Sequence, residues 1–387
     1  MPAILKTVPA PRDLDIAHAM AWVRKTYGKG RLRQFAEIAG LVLSRQKALP
    51  KDYYFYGLFR PEIGPEQRRA YVFNKSGRAL NDRLSPRHPG SLSNLLHNKA
   101  LLGLLLERAG LPVMPILAIH GQHLRVPSVP QLADAAAIAA FLGDEGHLPC
   151  FGKPVYGSLG LGAVGVLSAE DGGRRLVLTD GRTVETAVLA GEIARIYPDG
   201  YIFQPLIRQH PVLEACNGTA VGMLRVVTLR LAEGPRLLYT VQRMPPDGVM
   251  SDGTTGHPNT MALVDPATGR IVRAQALTHM ATSPATTSPA RGVPLDTLVV
   301  PFVDRAVALA LDAHRLFPAS GLLGFDIAIR PDGPIINEIN SSPYHHIYQR
   351  PADRGVLNPD FKPMIDEAIA VSDQIGRMAT RLTRPTS

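Results

Sequence analysis

The stretch that most constrains the fold spans residues 321–343 and reads GLLGFDIAIRPDGPIINEINSSP. Its first part alternates apolar with small or polar residues, as a β-strand does. Residues 331–334, Pro-Asp-Gly-Pro, carry the chemistry of a tight turn, and a second apolar run follows over residues 335–340. The pattern therefore predicts a strand, a turn and a second strand.

Three polar side chains share one face of this predicted hairpin. Side chains alternate between faces, so Glu338 and Asn340 point the same way, and Asp326 on the preceding strand can lie opposite them. Two carboxylates and an amide oxygen form a set of hard oxygen ligands that suits Mg²⁺. A polar sheet edge is the alternative, but it does not explain acidic groups inside two such apolar strands. We predict a metal site at Asp326, Glu338 and Asn340.

Length and charge narrow the class of protein. The 387 residues suffice for two or three domains. Lys and Arg number 42 against 33 Asp and Glu, a net charge of +9, which favours anionic partners such as phosphates and carboxylates. The basic residues are scattered, without a basic arm or zinc-finger spacing, so nucleic acid is an unfavoured partner.

Cysteine content and hydropathy indicate the compartment. The chain has two cysteines, Cys150 and Cys216, which excludes a disulfide framework and fits a reducing environment. The first residues lack the apolar core of a secretory signal, and no apolar run reaches the ~20 residues of a membrane span. We expect a cytoplasmic protein without a membrane span.

The N-terminal part predicts helices. Two helices are expected within residues 13–49, the second with an apolar face of Leu32, Phe35, Ile38, Leu41 and Leu43. The aromatic residues at 53–59 are interpreted as packing residues rather than as a ligand site. Residues 65–89 are interpreted as connecting surface. One helix is expected over residues 91–108.

The rest of the chain mixes strands and helices, which predicts an α/β (α+β) fold. Strands are predicted at 111–119, 152–168 (two strands around a Gly-rich turn), 175–179, 201–207, 224–231, 236–244 and 271–275. Helices are predicted at 132–142, 184–196, 296–315 and 360–381. Residues 244–260 and 281–294 are predicted to be specificity loops.

A Gly-rich segment, GLGAVG at residues 160–165, matches G-x-G-x-x-G literally. A dinucleotide-binding fingerprint must open a helix, whereas a strand pattern follows here, so we interpret the segment as a loop between antiparallel strands. Lys153 precedes this loop at a strand end. A lysine beside a Gly/Ser loop can hold phosphate through charge and backbone amides; an exposed lysine beside an ordinary hairpin is the alternative.

Two further cations stand out. Lys99 lies on the predicted 91–108 helix, where a solvated lysine is the ordinary interpretation. Arg225 interrupts an apolar strand, and a buried arginine is costly unless an anion pairs with it. A structural ion pair or an exposed strand face would also explain Arg225.

Taken in order, these elements resemble the ATP-grasp superfamily, and within it the sugar-transfer-associated proteins related to α-L-glutamate ligases. The resemblance covers about residues 95–348. It rests on Lys99 before a Gly-Leu-Pro-Val segment, Lys153 before the Gly/Ser loop, the strand end FQPLI at 203–207, Arg225 in LRVVT, and Asp326 with Glu338-Ile339-Asn340.

The resemblance implies roles for individual residues. Lys99 and Lys153 would contact ATP phosphates, Ser158, Leu159 and Gly160 would form the loop over them, and Gln204, Pro205, Leu206 and Ile207 would read adenine. Arg225, Lys153 and Asn340 would be catalytic, and Asp326, Glu338 and Asn340 would hold one or two Mg²⁺, which Mn²⁺ can replace. Many relatives carry a Glu at the start of the segment that would read adenine, where this chain has Gln204, and a later acidic residue that contacts ribose, for which Gln209, His210 and Glu214 are the candidates here. Substrate contacts are placed at Arg243, Asn259, Ser341 and Ser342.

The resemblance also implies an architecture and a reaction. Two α/β subdomains would grip ATP, with residues 1–90 as an N-terminal helical region, 91–145 as the start of the core, 146–207 as the lid subdomain, 208–350 as the C-terminal subdomain with the metal site, and 351–387 as a C-terminal helix. The implied reaction joins a small anionic carboxylate and an amine, in a polysaccharide-associated context, through an acyl phosphate. An ATP-grasp kinase and a non-catalytic nucleotide-binding scaffold are the alternatives, and a homodimer is compatible with the sequence.

Overall fold

Two β-sheets with flanking helices make up the fold. The computed structural model describes residues 4–5, 14–87, 92–157, 160–249, 259–277 and 282–383. The helices are α1 Ile16–Tyr27, α2 Arg31–Leu43, α3 Pro50–Phe55, α4 Pro65–Arg69, α5 Asn74–Leu84, α6 Ser93–His97, α7 Lys99–Arg108, α8 Ala135–Gly143, α9 Thr186–Ile196, α10 Pro211–Asn217, α11 Val303–Arg315, α12 His346–Ala352 and α13 Lys362–Thr383. The strands are β1 Ala118–His120, β2 Gln131–Leu132, β3 Cys150–Pro154, β4 Val164–Glu170, β5 Arg175–Leu178, β6 Thr183–Glu185, β7 Tyr201–Pro205, β8 Leu224–Leu231, β9 Gly234–Met244, β10 Thr260–Val264, β11 Ile271–Leu277, β12 Thr282–Pro284, β13 Leu322–Arg330 and β14 Gly333–Asn340.

The first sheet has the strand order β2-β1-β7-β3-β4-β5-β6. Its strand pairs are antiparallel except for β1 and β2. Helices α8 and α9 cover it through Ile138, Phe141, Leu189 and Ile193, which are buried against Phe203 of β7. Burial of these apolar side chains is what holds the small subdomain together.

The second sheet has the order β12-β11-β10-β9-β8-β13-β14, antiparallel at each pair. All eight residues of β8 are buried, because helices cover both faces of this sheet. On one face α11 packs against Val226 and Phe325. On the other face α5 and α13 pack against Val227 and Leu229. The hairpin predicted at residues 321–343 is β13–β14, at one edge of this sheet.

The N-terminal helices form a third apolar cluster of their own. Gly28, with φ +65°, ends α1 in the left-handed conformation that glycine adopts without strain, and Asp15 caps its start. The predicted aromatic cluster is confirmed, because Tyr53, Tyr54 and Phe59 are fully buried in it. The cluster is joined to α12 by Gln349, whose side chain accepts from Val72 N and donates to Val72 O, both at 2.8 Å.

Several sequence predictions are wrong in detail. Residues 65–87 are not merely connecting surface, because α4 and α5 lie there and Leu80 and Leu84 are buried. The helix predicted at 296–315 begins only at Val303, after Phe302 in the left-handed region. The sequence assigned no strand to residues 260–264, where β10 pairs with both β9 and β11.

The helix predicted over residues 91–108 is also wrong, because it is two helices, α6 and α7. Asn98 leaves the helical conformation, with φ −94° and ψ 98°, and its Oδ1 accepts from Leu101 N at 3.0 Å. An asparagine in this position satisfies one of the orphan amide groups at a helix start. The break makes Lys99 the first residue of α7 rather than a mid-helix residue.

His314 is a buried titratable group at the centre of this fold. Its Nε2 lies 2.8 Å from the carbonyl oxygen of Ser320, so Nε2 carries the proton and Nδ1 accepts from Thr228 Oγ1 at 2.6 Å. Burial lowers the pKa of His314 to about 4, and the positive charge of Arg230 adds to that lowering, whereas the bond to Ser320 opposes it. The ring is therefore neutral in the folded protein at neutral pH.

We predict that acidification destabilises the protein through His314. Its folded pKa lies below the ordinary 6.5, so the stabilisation is complete above pH 6.5 and is lost as pH falls towards 4. The loss amounts to about 3 kcal/mol for this one group. His345 and His346, with pKa values lowered by burial to about 4 and about 3, act in the same direction.

The measurement is urea unfolding at neutral and acidic pH. His314→Gln should lose less unfolding free energy on acidification than the wild type, whereas the exposed His123→Gln should behave as the wild type does. Equal acid sensitivity in His314→Gln and the wild type would contradict the assignment.

Candidate active site

A cleft of about 280 Å³ lies between the two sheets. Its walls come from β3 and the Gly-rich loop on one side, from the segment after β7 at the back, and from β8, β9, β13 and β14 on the other side. The polar lining residues are Lys99, Lys153, Thr179, Gln204, Thr219, Arg225, Arg243, Asp326, Asn337, Glu338, Asn340, Ser342, Tyr344 and His346. Ligand sites between two subdomains are a common arrangement, and this cleft brings together most of the predicted site.

One part of the cleft is apolar. Met114 and Met223 are buried together, with Ile207 and Val221 packed against them, and all four line the cleft. The side chain of Gln204 is buried beside them and donates to Met114 O at 3.0 Å. A flat apolar ring system fits such a lining, whereas the Gln204 amide is already committed to the backbone.

The Gly-rich loop forms the wall opposite this part. Gly160 and Gly162 have φ values of +68° and +70°, which L-residues with side chains rarely adopt. A strand, β4, follows the loop, which confirms that GLGAVG is not a dinucleotide fingerprint. Gly160 lines the cleft. Ser158 and Leu159, the other two residues predicted for this loop, lie outside the described residues.

Lys99 reaches the cleft from the start of α7. Its Nζ donates to Gly157 O at 2.7 Å and lies 3.6 Å from Glu338 Oε1. Because Asn98 starts a new helix, the Lys99 side chain stands beside the positive end of the α7 dipole, which also favours anions. The solvated-lysine interpretation of Lys99 is therefore wrong.

Lys153 is buried on β3 with 7% of its surface exposed. Its Nζ donates to Asn337 Oδ1 at 3.0 Å. Burial lowers the pKa of Lys153 to about 8; Glu338 and Asp326 oppose this lowering, and Lys99 adds to it. An ammonium held this far from water favours a further anion beside it.

Asn337 is a cleft residue that the sequence analysis missed. Strand alternation puts it on the face opposite Glu338, but the pairing register shifts between Asp326 and Ile327, so that Asp326 pairs with Glu338 and Ile327 with Ile336. This β-bulge leaves Asn337 as an extra residue, and both Asn337 and Glu338 line the cleft. The sequence of this segment contains no pattern that predicts such a bulge.

Asp326 and Arg225 form a buried ion pair on adjacent strands. Arg225 Nε donates to Oδ1 at 2.5 Å and Nη2 donates to Oδ2 at 3.0 Å, while Arg243 Nη1 lies 3.7 Å from Oδ2. Asn340 Nδ2 also donates to Oδ2, at 3.3 Å. Burial would raise the pKa of Asp326, but the two guanidinium groups outweigh it and lower that pKa. The structural ion pair suggested for Arg225 is thus present, and it lies in the cleft.

The donor chemistry fits a hard divalent cation. Asp326 is ionised, Glu338 keeps 26% of its side-chain surface exposed, and Asn340 uses its amide nitrogen towards Asp326, which leaves the amide oxygen as the ligand atom. Within the described residues there is no cluster of three His, Cys, Asp or Glu side chains. A cation at these three residues would therefore need oxygens from its ligand as well, as Mg²⁺ commonly does with phosphates.

The cleft lining is electropositive overall. It holds four basic side chains, Lys99, Lys153, Arg225 and Arg243, against the two carboxylates of Asp326 and Glu338, a difference of two positive charges. Charged groups with low-dielectric walls concentrate ligands of the opposite sign. The geometry is therefore suited to a polyanion that arrives with a metal ion.

The residues predicted to contact substrate or ribose are only partly in the cleft. Arg243 and Ser342 line the cleft, but His210, Asn259 and Ser341 are absent from its described lining. His210 instead caps α10, where Nδ1 accepts from Val212 N, and its ring packs against Phe302. Ser341 Oγ lies 3.2 Å from His97 Nε2.

The N-terminal helices contribute to the cleft, which the sequence did not suggest. Asn81 on α5 donates to Ser342 Oγ at 3.0 Å and to Pro343 O at 3.1 Å, and its Oδ1 lies 2.8 Å from His345 Nε2. Ser342 and Pro343 line the cleft. The turn after β14 is therefore held in place by α5.

A family described as sugar-transfer-associated ATP-grasp matches residues 80–361. A search of curated proteins finds no match. Within the described ranges, no helix is both long and apolar enough to cross a membrane.

Solved structures with a similar arrangement include several ligases. They are the D-alanine–D-alanine ligase from Coxiella burnetii (14% identity, TM-score 0.39), the VanG D-Ala:D-Ser ligase from Enterococcus faecalis (16%, 0.41) and biotin carboxylase from Campylobacter jejuni (16%, 0.42). The matches cover 74%, 72% and 71% of this chain but 61%, 62% and 46% of those chains, so this chain spans less than two thirds of each. With TM-scores below 0.5, these structures support no conclusion beyond the one that the family match gives.

The two sheets and the cleft between them are those of an ATP-grasp fold. The family match extends over most of the chain. The protein belongs to the sugar-transfer-associated ATP-grasp family.

We predict that Asp326→Asn destabilises the fold as well as the site. The change leaves Arg225, which is 5% exposed, as a buried guanidinium without its charged partner. Removing one member of a buried pair costs about 3–5 kcal/mol. Chemical denaturation measures this loss. The control is Asp332→Asn in the turn of the same hairpin, where the carboxylate pairs with Arg330 at the surface and the expected change is below about 1 kcal/mol. Equal losses in the two variants would contradict the prediction.

Proposed function

We propose that this protein is an ATP-dependent ligase that joins a carboxylate to an amine through an acyl phosphate. The observation that carries the proposal is the meeting of Lys99, Lys153 and Arg225 with Asp326, Glu338 and Asn340 in one cleft. Family membership supports an ATP-grasp enzyme. Phosphoryl transfer depends on positioning and charge neutralisation, which this set of residues supplies without a protein nucleophile.

In the first step a substrate carboxylate oxygen attacks the γ-phosphorus of ATP, and the bond to ADP breaks. Lys99 and Lys153 would hold the phosphates by charge and hydrogen bonds, while the apolar part at Met114 and Met223 would receive the adenine ring. Asp326, Glu338 and Asn340 would hold Mg²⁺, which supplies electrostatic stabilisation of the phosphate oxygens.

In the second step the amine nitrogen attacks the acyl carbon, inorganic phosphate leaves, and the amine loses a proton. Arg243 would neutralise the leaving phosphate or hold the carboxylate, and its position in the cleft lining, 3.7 Å from Asp326, supports this role. The turn at Ser342 and Pro343, fixed by Asn81, would border the acyl group. An anionic carboxylate suits the positive charge of the lining.

Trapping with hydroxylamine tests the reaction class before the amine is known. The protein is incubated with MgATP, hydroxylamine and a panel of sugar acids, amino acids and hydroxy acids. An acyl phosphate yields a hydroxamate together with ADP, and omission of the carboxylate should abolish both. ADP release with a phosphorylated alcohol and no hydroxamate would indicate a kinase instead. A folded protein that fails to bind MgATP in calorimetry would refute both.

We predict that Glu338→Gln lowers the rate of MgATP turnover at least ~1,000-fold, because a metal ligand and its charge are lost. Its unfolding free energy should change by less than about 1 kcal/mol, since Glu338 is partly exposed and lies 3.6 Å from Lys99. Full activity in this variant would refute the metal assignment. Glu233→Gln, on an exposed turn with 85% of the side chain accessible, is the matched control and should retain wild-type turnover.

A further inference from the structure

The outward face of α2 is apolar although nothing in the described chain covers it. Leu32, Phe35 and Leu43 are 89%, 66% and 86% exposed. All three belong to the apolar set predicted for the second helix, Leu32, Phe35, Ile38, Leu41 and Leu43, of which only Ile38 and Leu41 are buried. One stripe at helical spacing, hereafter the α2 stripe, consists of the exposed Leu32, Phe35, Ala36, Val42 and Leu43 together with the half-buried Ala39. A continuous exposed apolar stripe of this kind usually marks an interaction surface.

The charges around the α2 stripe have a single sign. From residue 16 to residue 51 the exposed Lys and Arg residues are Arg24, Lys25, Arg31, Arg33, Arg45, Lys47 and Lys51. The one acidic residue in this segment is Glu37, which is turned inward. Its carboxylate lies 2.8 Å from Lys29 Nζ and 3.4 Å from Arg68 Nη2. Apart from Asp15, the exposed cap of α1, the exposed surface of this helical hairpin is therefore basic and apolar.

We propose that the α1–α2 hairpin docks on the surface of an anionic lipid bilayer. Helices that lie in a membrane interface combine an apolar stripe with Lys and Arg along its borders, as Arg31 and Arg33 border the α2 stripe. Each basic residue near an anionic membrane contributes about 1 kcal/mol, and the apolar side chains add their transfer from water. Docking of this kind needs no membrane-spanning helix, because the stripe lies flat in the interface.

Two other occupants fit the surface less well. In a two-fold dimer the same patch would face itself, which would bring the seven exposed basic side chains of each copy together, with Asp15 as the one exposed carboxylate among the described residues of the hairpin. Nucleic acid would match the charge, but contacts to its phosphates leave no role for a stripe of Leu, Phe and Val. An anionic bilayer satisfies both the charge and the apolar area.

Vesicle flotation of the full chain tests the proposal. Vesicles of phosphatidylcholine alone are compared with vesicles in which one third is phosphatidylglycerol. Binding is expected to the anionic vesicles, weakened by high salt and weak without the anionic lipid. Trp22, the single tryptophan of the chain, lies on α1 and is half-buried against Tyr27 and Phe59, so its fluorescence reports on the depth of the hairpin without labelling. Quenching of its fluorescence by lipids brominated in the acyl chain should accompany binding.

Variants on the two parts of the surface sharpen the test. The triple change Leu32→Ser, Phe35→Ser and Leu43→Ser should lower the vesicle partition coefficient at least ~10-fold, because three exposed apolar side chains no longer enter the interface. Arg31→Glu with Arg33→Glu should remove the preference for anionic vesicles. Val272→Ser with Met378→Ser, two exposed apolar residues elsewhere, is the control and should bind as the wild type does.

The outcomes that overturn the proposal are distinct. A wild-type protein with native circular dichroism that stays with the unbound fraction at low salt contradicts membrane docking. Unchanged binding by the triple serine variant shows that the stripe is not the contact. A wild-type dimer that becomes monomeric in the triple variant, measured by light scattering, assigns the stripe to self-association. Binding of MgATP should be the same in all variants, so this proposal and the proposed ligase activity can fail independently.

Discussion

The buried ion pair between Arg225 and Asp326 is the interaction on which the cleft depends. The two residues are direct partners in the pairing of β8 with β13, and Asp326 is at the same time the partner of Glu338 on β14. A slip of one residue between β8 and β13 would separate the guanidinium from the carboxylate in a site with little access to water. Charge pairing in the interior thus fixes the register of these two strands, and the hydrogen bond from Asn340 to Asp326 ties β14 to them.

The same ion pair sets the two carboxylates of the cleft, Asp326 and Glu338, apart from each other. Asp326 accepts from Arg225 through both oxygens and from Asn340 through Oδ2, with Arg243 nearby, which fixes its orientation while Oδ1 keeps a further lone pair. Glu338, directly opposite, is partly exposed and lies near Lys99. Asp326 is held in place by its neighbours on β8, β9 and β14, whereas the partly exposed Glu338 can adjust to a ligand. A site built in this way is organised before the ligand arrives, which lowers the cost of binding.

Much of the site could be predicted because it follows from strand alternation. The β13–β14 hairpin, the shared face of Asp326, Glu338 and Asn340, and the strand after the Gly-rich loop all follow from patterns within one short segment of sequence. Other features depend on distant partners. The bulge at Asn337 arises from pairing with β13, and Asn81 contacts Ser342 across 261 positions of sequence. The apolar pattern of α2 was visible, but which of its residues a neighbouring helix covers is decided by tertiary packing.

Phe55 of the N-terminal helices has a consequence for how specificity can change. Its ring packs 6.3 Å from the ring of His346, which lines the cleft, and the Arg350 guanidinium stacks 4.2 Å above it. Phe55 precedes the segment that matches the family, which begins at residue 80. The wall of the cleft at His346 is thus supported by a part of the chain that lies outside the family match. Substitutions at Phe55 would reshape this wall while Lys99 on α7 and Lys153 on β3 keep their contacts, so that under the proposed function the shape of the cleft and its hold on phosphate can change separately.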